Sequence, residues 1–267
     1  MKNAVSGIIF VLLGCLSFFS CDKDEDNRYE EFYHNIVTVV MDDDDNSFYL
    51  VTDKGNKLMP TDPTPWFSNL KDGGRGTVLF NILGGAAPQF LINLISFDPV
   101  LTKPVWTVTP ENADTAVIDR KDPGLIIDAW YTYNTELAYV TVVFKTHVFA
   151  GAAYVNLVQD NTVTVDGVVE TTPVENPTPD GVWNLNFITK YSADNLVQGW
   201  TMQNMASFIV DHSLIAERKV EKIALYYYDM SGALQVYDVT LKDSVSNLYD
   251  VDFGKDTDNA SPVGILQ

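Results

Sequence analysis

The fold is decided by Ile36-Val37-Thr38-Val39-Val40-Met41, a compact run of β-branched residues, and by Phe48-Tyr49-Leu50-Val51-Thr52, which adds aromatic ones. Between these two runs lies Asp42-Asp43-Asp44-Asp45-Asn46-Ser47, whose Asp, Asn and Ser side chains favour a turn. A second turn, Asp53-Lys54-Gly55-Asn56, is followed by the short run Lys57-Leu58-Met59-Pro60. Strand-forming runs separated by such turns predict a meander of β-hairpins.

Two further strand runs complete a first domain. Residues 77–83 and 90–97 are rich in β-branched and aromatic side chains, and the turn-forming run Gly84-Gly85-Ala86-Ala87-Pro88 separates them. With the three strands above they make five, the number that an OB-like barrel needs. A group of prolines ending at Pro110 marks the next boundary, so the sequence predicts an OB-like β-barrel domain at residues 36–110, with a margin of about ten residues at its end.

The second half of the chain repeats this pattern with longer strands. Turn signals separate seven strand runs, at residues 124–133, 137–146, 154–158, 182–191, 206–211, 222–229 and 234–241. Seven such strands favour an antiparallel β-sandwich. The sequence therefore predicts an all-β chain with this sandwich at residues 111–253 and a polar tail at 254–267. The Thr-, Val- and Pro-rich segment 161–181 is expected to be an extended connection inside the sandwich.

The N-terminal residues are typical of a secretory signal peptide. Lys2 gives the start a positive charge, and residues 4–19 are apolar apart from small side chains. This apolar run is shorter than the roughly 20 residues that span a bilayer, and an acidic cluster follows it. Residues 1–20 are therefore predicted to be a signal peptide, and residues 21–35 an acidic tether.

The cysteine after the predicted signal peptide indicates a lipid anchor. Cys21 follows the small residue Ser20, which resembles the cleavage site of bacterial lipoproteins, where this thiol receives lipid. Cys15 is in a competing match, but cleavage there would leave the apolar residues 16–19 on the mature chain. We expect Cys21 to carry two or three acyl chains, enough for stable anchoring. Since the chain has only two cysteines, the mature protein would then contain no free thiol and no disulfide.

The residues after Cys21 predict where the anchored chain is held. Lys23-Asp24-Glu25 resembles the lysine-then-acidic signal that directs lipoproteins of Bacteroidota to the outer face of the outer membrane. A solvated acidic linker is the alternative interpretation. The sequence thus predicts a protein anchored by lipid in the outer membrane and exposed on the cell surface, with retention on the periplasmic face as the alternative.

The net charge restricts the partners of the chain. Its 36 Asp and Glu residues exceed its 17 Lys and Arg residues, for a formal net charge of −19. Phosphate backbones repel such a surface, so nucleic-acid binding is excluded. Anionic headgroups would be repelled as well, and we therefore expect the lipid chains alone to hold the protein on the membrane.

The order of these features resembles one known family. A lipoprotein signal, an acidic tether and the hairpin sequence at residues 45–60 together resemble the NigD-like lipoproteins of Bacteroidota. The resemblance implies an N-terminal OB-like domain and a C-terminal β-sandwich. The family is named after a bacteriocin-associated gene cluster, which implies bacteriocin immunity or envelope protection as one role. No catalytic residues are established for this family, so none is carried over.

The acidic turn is the first candidate site. Asp42, Asp44, Asn46 and Asp53 fall at positions one, three, five and twelve of a calcium-binding loop, and calcium prefers oxygen ligands. However, Ser47 stands where that loop needs a glycine, and Asp53 is shorter than the usual glutamate. Strands rather than helices flank the loop. A solvated turn is the favoured interpretation, and no metal or other cofactor is predicted.

Aromatic side chains are the second candidate site. In the predicted strand 222–229, Tyr226 and Tyr228 share one face while Tyr227 lies on the other. If the face of Tyr227 is in the core, the other two tyrosines point towards solvent; Trp130 belongs to a similar aromatic run. Exposed aromatic rings can stack on sugars or contact a protein partner. Partial burial beneath loops is the alternative.

No other motif in the sequence indicates catalysis. The three histidines, His34, His147 and His212, are not at metal-ligand spacing, and the chain has no serine-hydrolase elbow. Thr115 and Ser244 resemble the Asp-Ser/Thr-aliphatic acceptor of O-glycosylation in Bacteroidota. We therefore predict a non-enzymatic, lipid-anchored module that binds a glycan or an envelope protein. Bacteriocin immunity is the alternative, and a glycan hydrolase is less favoured.

Overall fold

The protein is described by a computed structural model, which shows an almost entirely β chain. The described residues are 31–42, 47–108, 122–133, 135–147, 153–160, 163–165, 168–170, 176–191 and 201–242. They form sixteen strands and two short helices. The predicted signal peptide, Cys21 and the predicted polar tail lie outside these residues. Within the described ranges, no helix has the length and apolar character needed to cross a membrane.

The first five strands close into a barrel. They are β1 (Tyr33–Asp42), β2 (Ser47–Thr52), β3 (Lys57–Pro60), β4 (Arg75–Ala86) and β5 (Gln89–Pro99), with the short helix α1 (Thr64–Phe67) between β3 and β4. The order around the barrel is β1-β2-β3-β5-β4, with β3 and β5 parallel and the other pairs antiparallel. The predicted five-stranded barrel is confirmed.

The barrel core follows from the alternation of side chains along its strands. Because successive residues of a strand face opposite sides, Val37 and Val39 of β1 point into the barrel while Ile36 and Thr38 point outward. The other strands supply the remaining core side chains, which include Phe48, Leu50, Leu58, Val78, Phe80, Phe90, Ile92 and Leu94. The outward side chains of β1 are buried too, so the barrel has a second packing partner.

That partner is a two-sheet sandwich built from most of the remaining strands. The strands are β6 (Leu101–Pro104), β7 (Trp106–Val108), β8 (Leu125–Tyr133), β9 (Ala138–His147), β10 (Ala153–Asp160), β11 (Val163–Val165), β12 (Val168–Glu170), β13 (Val182–Tyr191), β14 (Thr201–Val210), β15 (Lys222–Tyr228) and β16 (Leu234–Thr240), with helix α2 (His212–Glu217) before β15. One sheet has the order β6-β14-β9-β8 and the other β16-β15-β13-β10-β7. Strands β11 and β12 pair separately as a small hairpin.

The sandwich is confirmed, but its sheets are mixed rather than purely antiparallel. The pairs β6–β14, β7–β10 and β13–β15 are parallel. The parallel pairing of β13 with β15 follows from the connection between them. The chain passes through β14 in the opposite sheet before it returns, so β15 runs in the same direction as β13. Each of the seven strand runs predicted for this half overlaps a strand, and the predicted connection at 161–181 contains the β11–β12 hairpin.

The change from barrel to sandwich occurs earlier than Pro110. Strands β6 and β7 fall within the predicted barrel domain, but they pair with β14 and β10 of the sandwich. Strand pairing therefore places the change between Pro99, the last residue of β5, and Leu101, the first of β6. This position is within the margin of about ten residues given for the sequence-based boundary.

Candidate functional site

A buried ion pair lies where the barrel meets the sandwich. Arg75, at the start of β4, is the largest charged side chain in the interior, and its guanidinium forms a two-pronged pair with Asp53 in the β2–β3 turn. Its Nη2 atom lies 2.9 Å from Asp53 Oδ2. The same carboxylate oxygen accepts a hydrogen bond of 2.6 Å from the indole nitrogen of Trp130 in β8. A residue of the sandwich thus completes an ion pair of the barrel.

Neutral groups from both domains surround this pair. Arg75 also donates to Thr38 Oγ1 at 3.0 Å and to Thr141 Oγ1 at 3.1 Å, and its guanidinium lies 5.0 Å from the ring centre of Tyr139. The Tyr139 hydroxyl donates to the carbonyl of Gly73 at 2.8 Å. Burial raises the pKa of Tyr139 to about 12, although the nearby guanidinium opposes that rise. Strands of both domains therefore hold one hydrogen-bonded network, which we call the interdomain network.

An apolar contact accompanies the interdomain network. Ile36 of the barrel packs against Trp130 and Val143 of the sandwich, with Met205 partly buried beside them. The charges of Arg75 and Asp53 are therefore paired with each other inside this interface, although the Arg75 Nε atom is buried without a hydrogen-bond partner. The network stabilises the relative position of the two domains.

The structure overturns the interpretation of Trp130 as a surface aromatic residue. Only 1% of its surface is exposed. Both faces of β8 are covered in this region, one by the sandwich core through Tyr131 and the other by the barrel through Ile36. A period-of-two pattern assigns side chains to faces, but it does not reveal that a second domain covers the outer face.

The structure also separates the residues of the calcium-loop candidate. Asp42 pairs with Ser47 at the turn end of the β1–β2 hairpin, whereas Asp53 follows the pair of Val37 and Thr52 at the other end. Five residues of strand, or about 17 Å, separate these two positions. Asp53 is moreover paired with Arg75, so the prediction that these residues could form a single calcium site is wrong. Asp44 and Asn46 lie outside the described residues. Within the described ranges, no three His, Cys, Asp or Glu side chains are placed to share a metal ion.

The tyrosines of β15 lie as the alternation predicts. Leu225 and Tyr227 point into the sandwich core, while Tyr226 and Tyr228 are half-buried on the outer face. The antiparallel register places Val236 opposite Tyr226 and Leu234 opposite Tyr228. Leu234 and Val236 are 56% and 50% exposed. These four outward side chains, Tyr226, Tyr228, Leu234 and Val236, form an apolar surface that we call the edge patch.

Strand β16 is the end strand of its sheet. In the part of the chain that the structure describes, no strand pairs with its other edge. Natural edge strands are usually protected by lysine, proline or a bulge, and β16, with the sequence Leu-Gln-Val-Tyr-Asp-Val-Thr, has none of these. Its one charged residue, Asp238, forms a salt bridge of 3.0 Å with Lys222 of β15. The backbone at this edge of β16 can therefore pair with a strand from another chain.

The turn between β15 and β16, next to the edge patch, is stabilised by several hydrogen bonds. Asp229 Oδ1 accepts hydrogen bonds from the backbone nitrogens of Ser231 and Ala233, at 2.8 and 3.0 Å, and from the Ser231 hydroxyl at 2.5 Å. The Gln235 side chain donates to Asp229 Oδ2 at 2.8 Å. These bonds, the Ser231 hydroxyl first, lower the pKa of Asp229 to about 2. Gly232 has a φ of +79°, which glycine adopts without strain.

The histidines lie apart from this patch. The Nδ1 atom of His212 lies 2.8 Å from the Tyr131 hydroxyl, and its ring stacks on Tyr133 with 3.5 Å between ring centres. His34 lies in the barrel strand β1, where burial lowers its pKa and Asp98 opposes the change. The side chain of His147 lies outside the described part of the structure. The candidate O-glycosylation residues Thr115 and Ser244 and the lipidation residue Cys21 fall outside the described residues.

Two open clefts bear on the hydrolase alternative. One of about 300 Å³ lies between barrel and sandwich, and the other, of about 380 Å³, lies beside β7 and α2. The first contains Asp98 as its one carboxylate and the second contains Asp211. Glycoside hydrolysis uses two carboxyl groups on either side of the scissile bond. Neither cleft, as lined by the described residues, has such a pair.

Comparison with known proteins identifies the barrel. A family model described as the NigD-like N-terminal OB domain matches residues 36–88. The barrel is a NigD-like OB domain. The match runs from β1 to the tip of the β4–β5 hairpin, which includes both Asp53 and Arg75. No curated protein sequence matches the chain.

Several solved structures are similar in overall fold to this chain. A protein of unknown function from Bacteroides vulgatus ATCC 8482 is 20% identical, with a TM-score of 0.58 over 84% of this chain and 96% of its own. A candidate toxin-related protein from Parabacteroides distasonis ATCC 8503 is 21% identical, with a TM-score of 0.53 over 78% and 92%. A candidate lipoprotein from Bacteroides fragilis NCTC 9343 is 14% identical, with a TM-score of 0.57 over 79% and 99%. These identities support a shared fold alone.

Proposed function

We propose that this protein is a lipid-anchored envelope protein that binds a protein partner along strand β16. The observation that carries the proposal is that, among the described residues, no strand pairs with the outer edge of β16, beside the edge patch. The partner would add an extended segment to the sheet, so that its backbone pairs with β16 and alternate side chains contact the patch. This mode of recognition obtains affinity from main-chain hydrogen bonds and specificity from the side chains of one face.

The composition of the edge patch favours a protein partner over a glycan. Sugars bind to the open faces of aromatic rings, but here Leu234 and Val236 are exposed while Tyr226 and Tyr228 are half-buried. Aliphatic side chains offer a sugar no stacking surface, whereas they pack well against apolar side chains of a peptide. The phenol of Tyr226 contacts Asn184 Oδ1 at 3.4 Å, which leaves a polar border beside the patch.

The proposed anchor rests on sequence features and on the domain type. Cys21 follows a signal-like segment, and Lys23-Asp24-Glu25 resembles an export signal to the outer face of the outer membrane. The protein of similar fold from Bacteroides fragilis is described as a candidate lipoprotein, which supports this assignment. An anchor of this kind confines the edge patch to the membrane surface, where envelope proteins are its available partners. Nothing in the described residues suggests catalysis.

Site-specific photocrosslinking on intact cells tests the proposal. A photoreactive residue replaces Thr240, which is exposed on the same face of β16 as Val236, and crosslinked peptides are identified by mass spectrometry in an otherwise unchanged chain. We expect one envelope protein to be captured through one defined segment, and Val236→Lys to abolish the capture. The control is Leu101→Lys, because Leu101 also lies on an edge strand and is 50% exposed, as Val236 is. Capture that persists in Val236→Lys, or is lost equally in Leu101→Lys, contradicts the proposal.

Two further outcomes lead to different functions. Binding of a purified glycan that is lost in Tyr226→Ala but retained in Val236→Lys would assign the outer face to sugars instead. The NigD-like OB domain also favours bacteriocin immunity as a second candidate. A strain lacking this protein would then become sensitive to a bacteriocin, and Val236→Lys would fail to restore resistance if the edge patch binds the toxin.

A further inference from the structure

The β4–β5 hairpin is free of charge in an otherwise highly charged protein. Residues 76–97 contain no Asp, Glu, Lys, Arg or His, although charged residues make up 20% of the chain and its net charge is −19. These residues cover nearly all of β4 and most of β5. Burial in the barrel explains why the inward side chains are apolar. It does not explain the outward ones.

Several outward side chains of this hairpin are apolar and exposed. Leu83 is 60% exposed, the highest value among the exposed large apolar side chains of the described residues, and Leu91 and Ile95 are exposed as well. Met59 of β3 lies beside Leu91 in register and is half-buried. We call these four residues, Met59, Leu83, Leu91 and Ile95, the hairpin face. The small uncharged residues 84–88 form the tip next to it.

The tip lies at the end of the barrel where the chain arrives from its N-terminus. Strand β1 begins at Tyr33, which pairs with Phe80, and β4 continues beyond this pair to Ala86. Six further residues, about 20 Å of strand, therefore extend past the start of β1 on that side. Phe32, the residue just before β1, is exposed and apolar too.

The distance to the proposed lipid anchor is limited by chain length. Tyr33 is twelve positions after Cys21 in the sequence. A fully extended chain spans at most about 3.5 Å per residue, so the start of β1 lies within about 40 Å of the acylated cysteine. A tether of this length allows the barrel end that carries the hairpin tip to reach a bilayer in which Cys21 is anchored.

We propose that the hairpin face and tip contact the surface of the bilayer in which the N-terminal lipid is anchored. The inference rests on the lipid anchor of the proposed function. Apolar side chains gain free energy on leaving water for the boundary between headgroups and acyl chains. The absence of charge removes the repulsion from anionic headgroups that the rest of this acidic surface would meet. The charged residue opposite Gln89 in register is Lys57, whose charge suits such headgroups.

The proposed contact differs from the expectation that the lipid chains alone hold the protein on the membrane. That expectation used the net charge of the whole chain, whereas the part that reaches the membrane is a local surface. A membrane contact would also fix the orientation of the barrel on the bilayer, which flexible acyl chains cannot do by themselves.

Fluorescence quenching on the lipidated, full-length protein tests the contact. The two native cysteines are removed with the signal peptide or acylated, so Ala86→Cys introduces a single thiol at the tip for an environment-sensitive dye. Ser231→Cys, at the β15–β16 turn, is the matched exposed control. In vesicles of phosphatidylcholine that contain spin-labelled lipid, we expect strong quenching and a blue shift at position 86 and neither at position 231.

Charge substitutions make the test specific for the hairpin face. The double variant Leu83→Glu, Leu91→Glu should lose the quenching at position 86, whereas Leu234→Glu, at a similarly exposed apolar residue elsewhere, should keep it. Equal quenching at positions 86 and 231, or none at 86, overturns the proposal. A blue shift at position 86 that needs no vesicles and rises with protein concentration assigns the face to a second copy of the chain and overturns it too.

Co-flotation separates this inference from the proposed function. If the full-length protein from cells does not float with vesicles, the lipid anchor is wrong and the membrane contact fails with it. If it floats but the dye at position 86 is not quenched, the anchor stands and the contact alone is wrong. Binding to the partner along β16 is unaffected in either case.

Discussion

One ion pair lies in the interdomain network and another lies on β15 and β16 beside the edge patch, and their surroundings are opposite. The Arg75–Asp53 pair is almost fully buried, whereas both side chains of the Lys222–Asp238 pair are exposed. Two threonine hydroxyls and an indole complete the first pair, and water surrounds the second. A pair of opposite charges therefore stabilises the interior in one region, whereas in the other it lies on the surface.

The difference indicates where this protein can bind a partner. In the interdomain network, the polar groups of Asp53 and Trp130 are paired within the protein, so this region fixes the fold. Along β16, one strand edge and two exposed aliphatic side chains remain without a partner strand among the described residues. Most proteins bury apolar side chains and expose charged ones, but here a charged pair is buried and two aliphatic side chains are exposed. Substitutions in the two regions can therefore test their different roles.

The largest effect is expected from Asp53→Ala. The substitution leaves the Arg75 guanidinium buried without its counter-ion, and breaking a buried pair in this way costs about 3–5 kcal/mol. Urea unfolding at neutral pH measures the loss in free energy of unfolding. Asp238→Ala is the control, since it removes the acidic partner of the exposed pair. Equal losses in the two variants would contradict the distinction between the regions.

Trp130→Phe should have the next largest effect. The phenyl ring fills much of the same space but removes the indole donor to Asp53, so a buried carboxylate oxygen loses a hydrogen bond. Such a loss costs about 1–3 kcal/mol. Trp106→Phe, at a half-buried tryptophan of β7, controls for the loss of ring size. A loss no greater than that of the control would mean that the indole donor contributes nothing to the interdomain network.

Local sequence patterns predicted most of the fold. The β-branched runs around Val37 and Leu50 and the turns between them led to the barrel, because hairpins depend on neighbouring residues. The alternation in β15 placed Tyr227 inward and Tyr226 outward, since a period of two needs no knowledge of distant strands.

Contacts between residues far apart in sequence were not predictable in this way. Arg75 and Asp53 are 22 residues apart, and Trp130 is 77 residues from Asp53. No local pattern brings them together, so Trp130 was considered only as a candidate surface aromatic residue, and Asp53 only as part of a solvated turn or of a weak calcium loop. An arginine isolated between Gly74 and Gly76 was the one available signal, because a charge at the start of an apolar strand needs a buried partner.

Tyr139→Phe tests the interdomain network with a smaller change. Removing the hydroxyl deletes its hydrogen bond to the Gly73 carbonyl, and we expect a cost of about 0.5–1.5 kcal/mol at pH 7. The folded state raises the pKa of Tyr139 from its ordinary value near 10 to about 12, so the neutral phenol is favoured by folding. Its contribution is complete below pH 10 and is lost as the pH rises from 10 to 12.

The stability difference between wild type and Tyr139→Phe should therefore narrow across that interval. Urea unfolding at several alkaline pH values, with absorbance at 295 nm to follow tyrosine ionisation, measures it. Tyr226→Phe is the control, because Tyr226 is a half-buried tyrosine outside the interdomain network. A difference that stays constant from pH 9 to pH 12 would show that Tyr139 ionises as readily in the folded as in the unfolded chain.

The smallest effect is expected from the exposed pair itself. A double-mutant cycle with Lys222→Met and Asp238→Asn should give a coupling energy of about 0–1 kcal/mol, because water and salt screen both charges. The coupling should decrease further in 0.5 M salt, whereas the loss caused by Asp53→Ala should change little, since buried charges are screened much less. A coupling above about 2 kcal/mol would mean that the edge of the sandwich is less open to water than its exposed side chains indicate. Strand addition at β16 would then have to displace a structural ion pair, and the binding mode proposed for this edge would lose its physical basis.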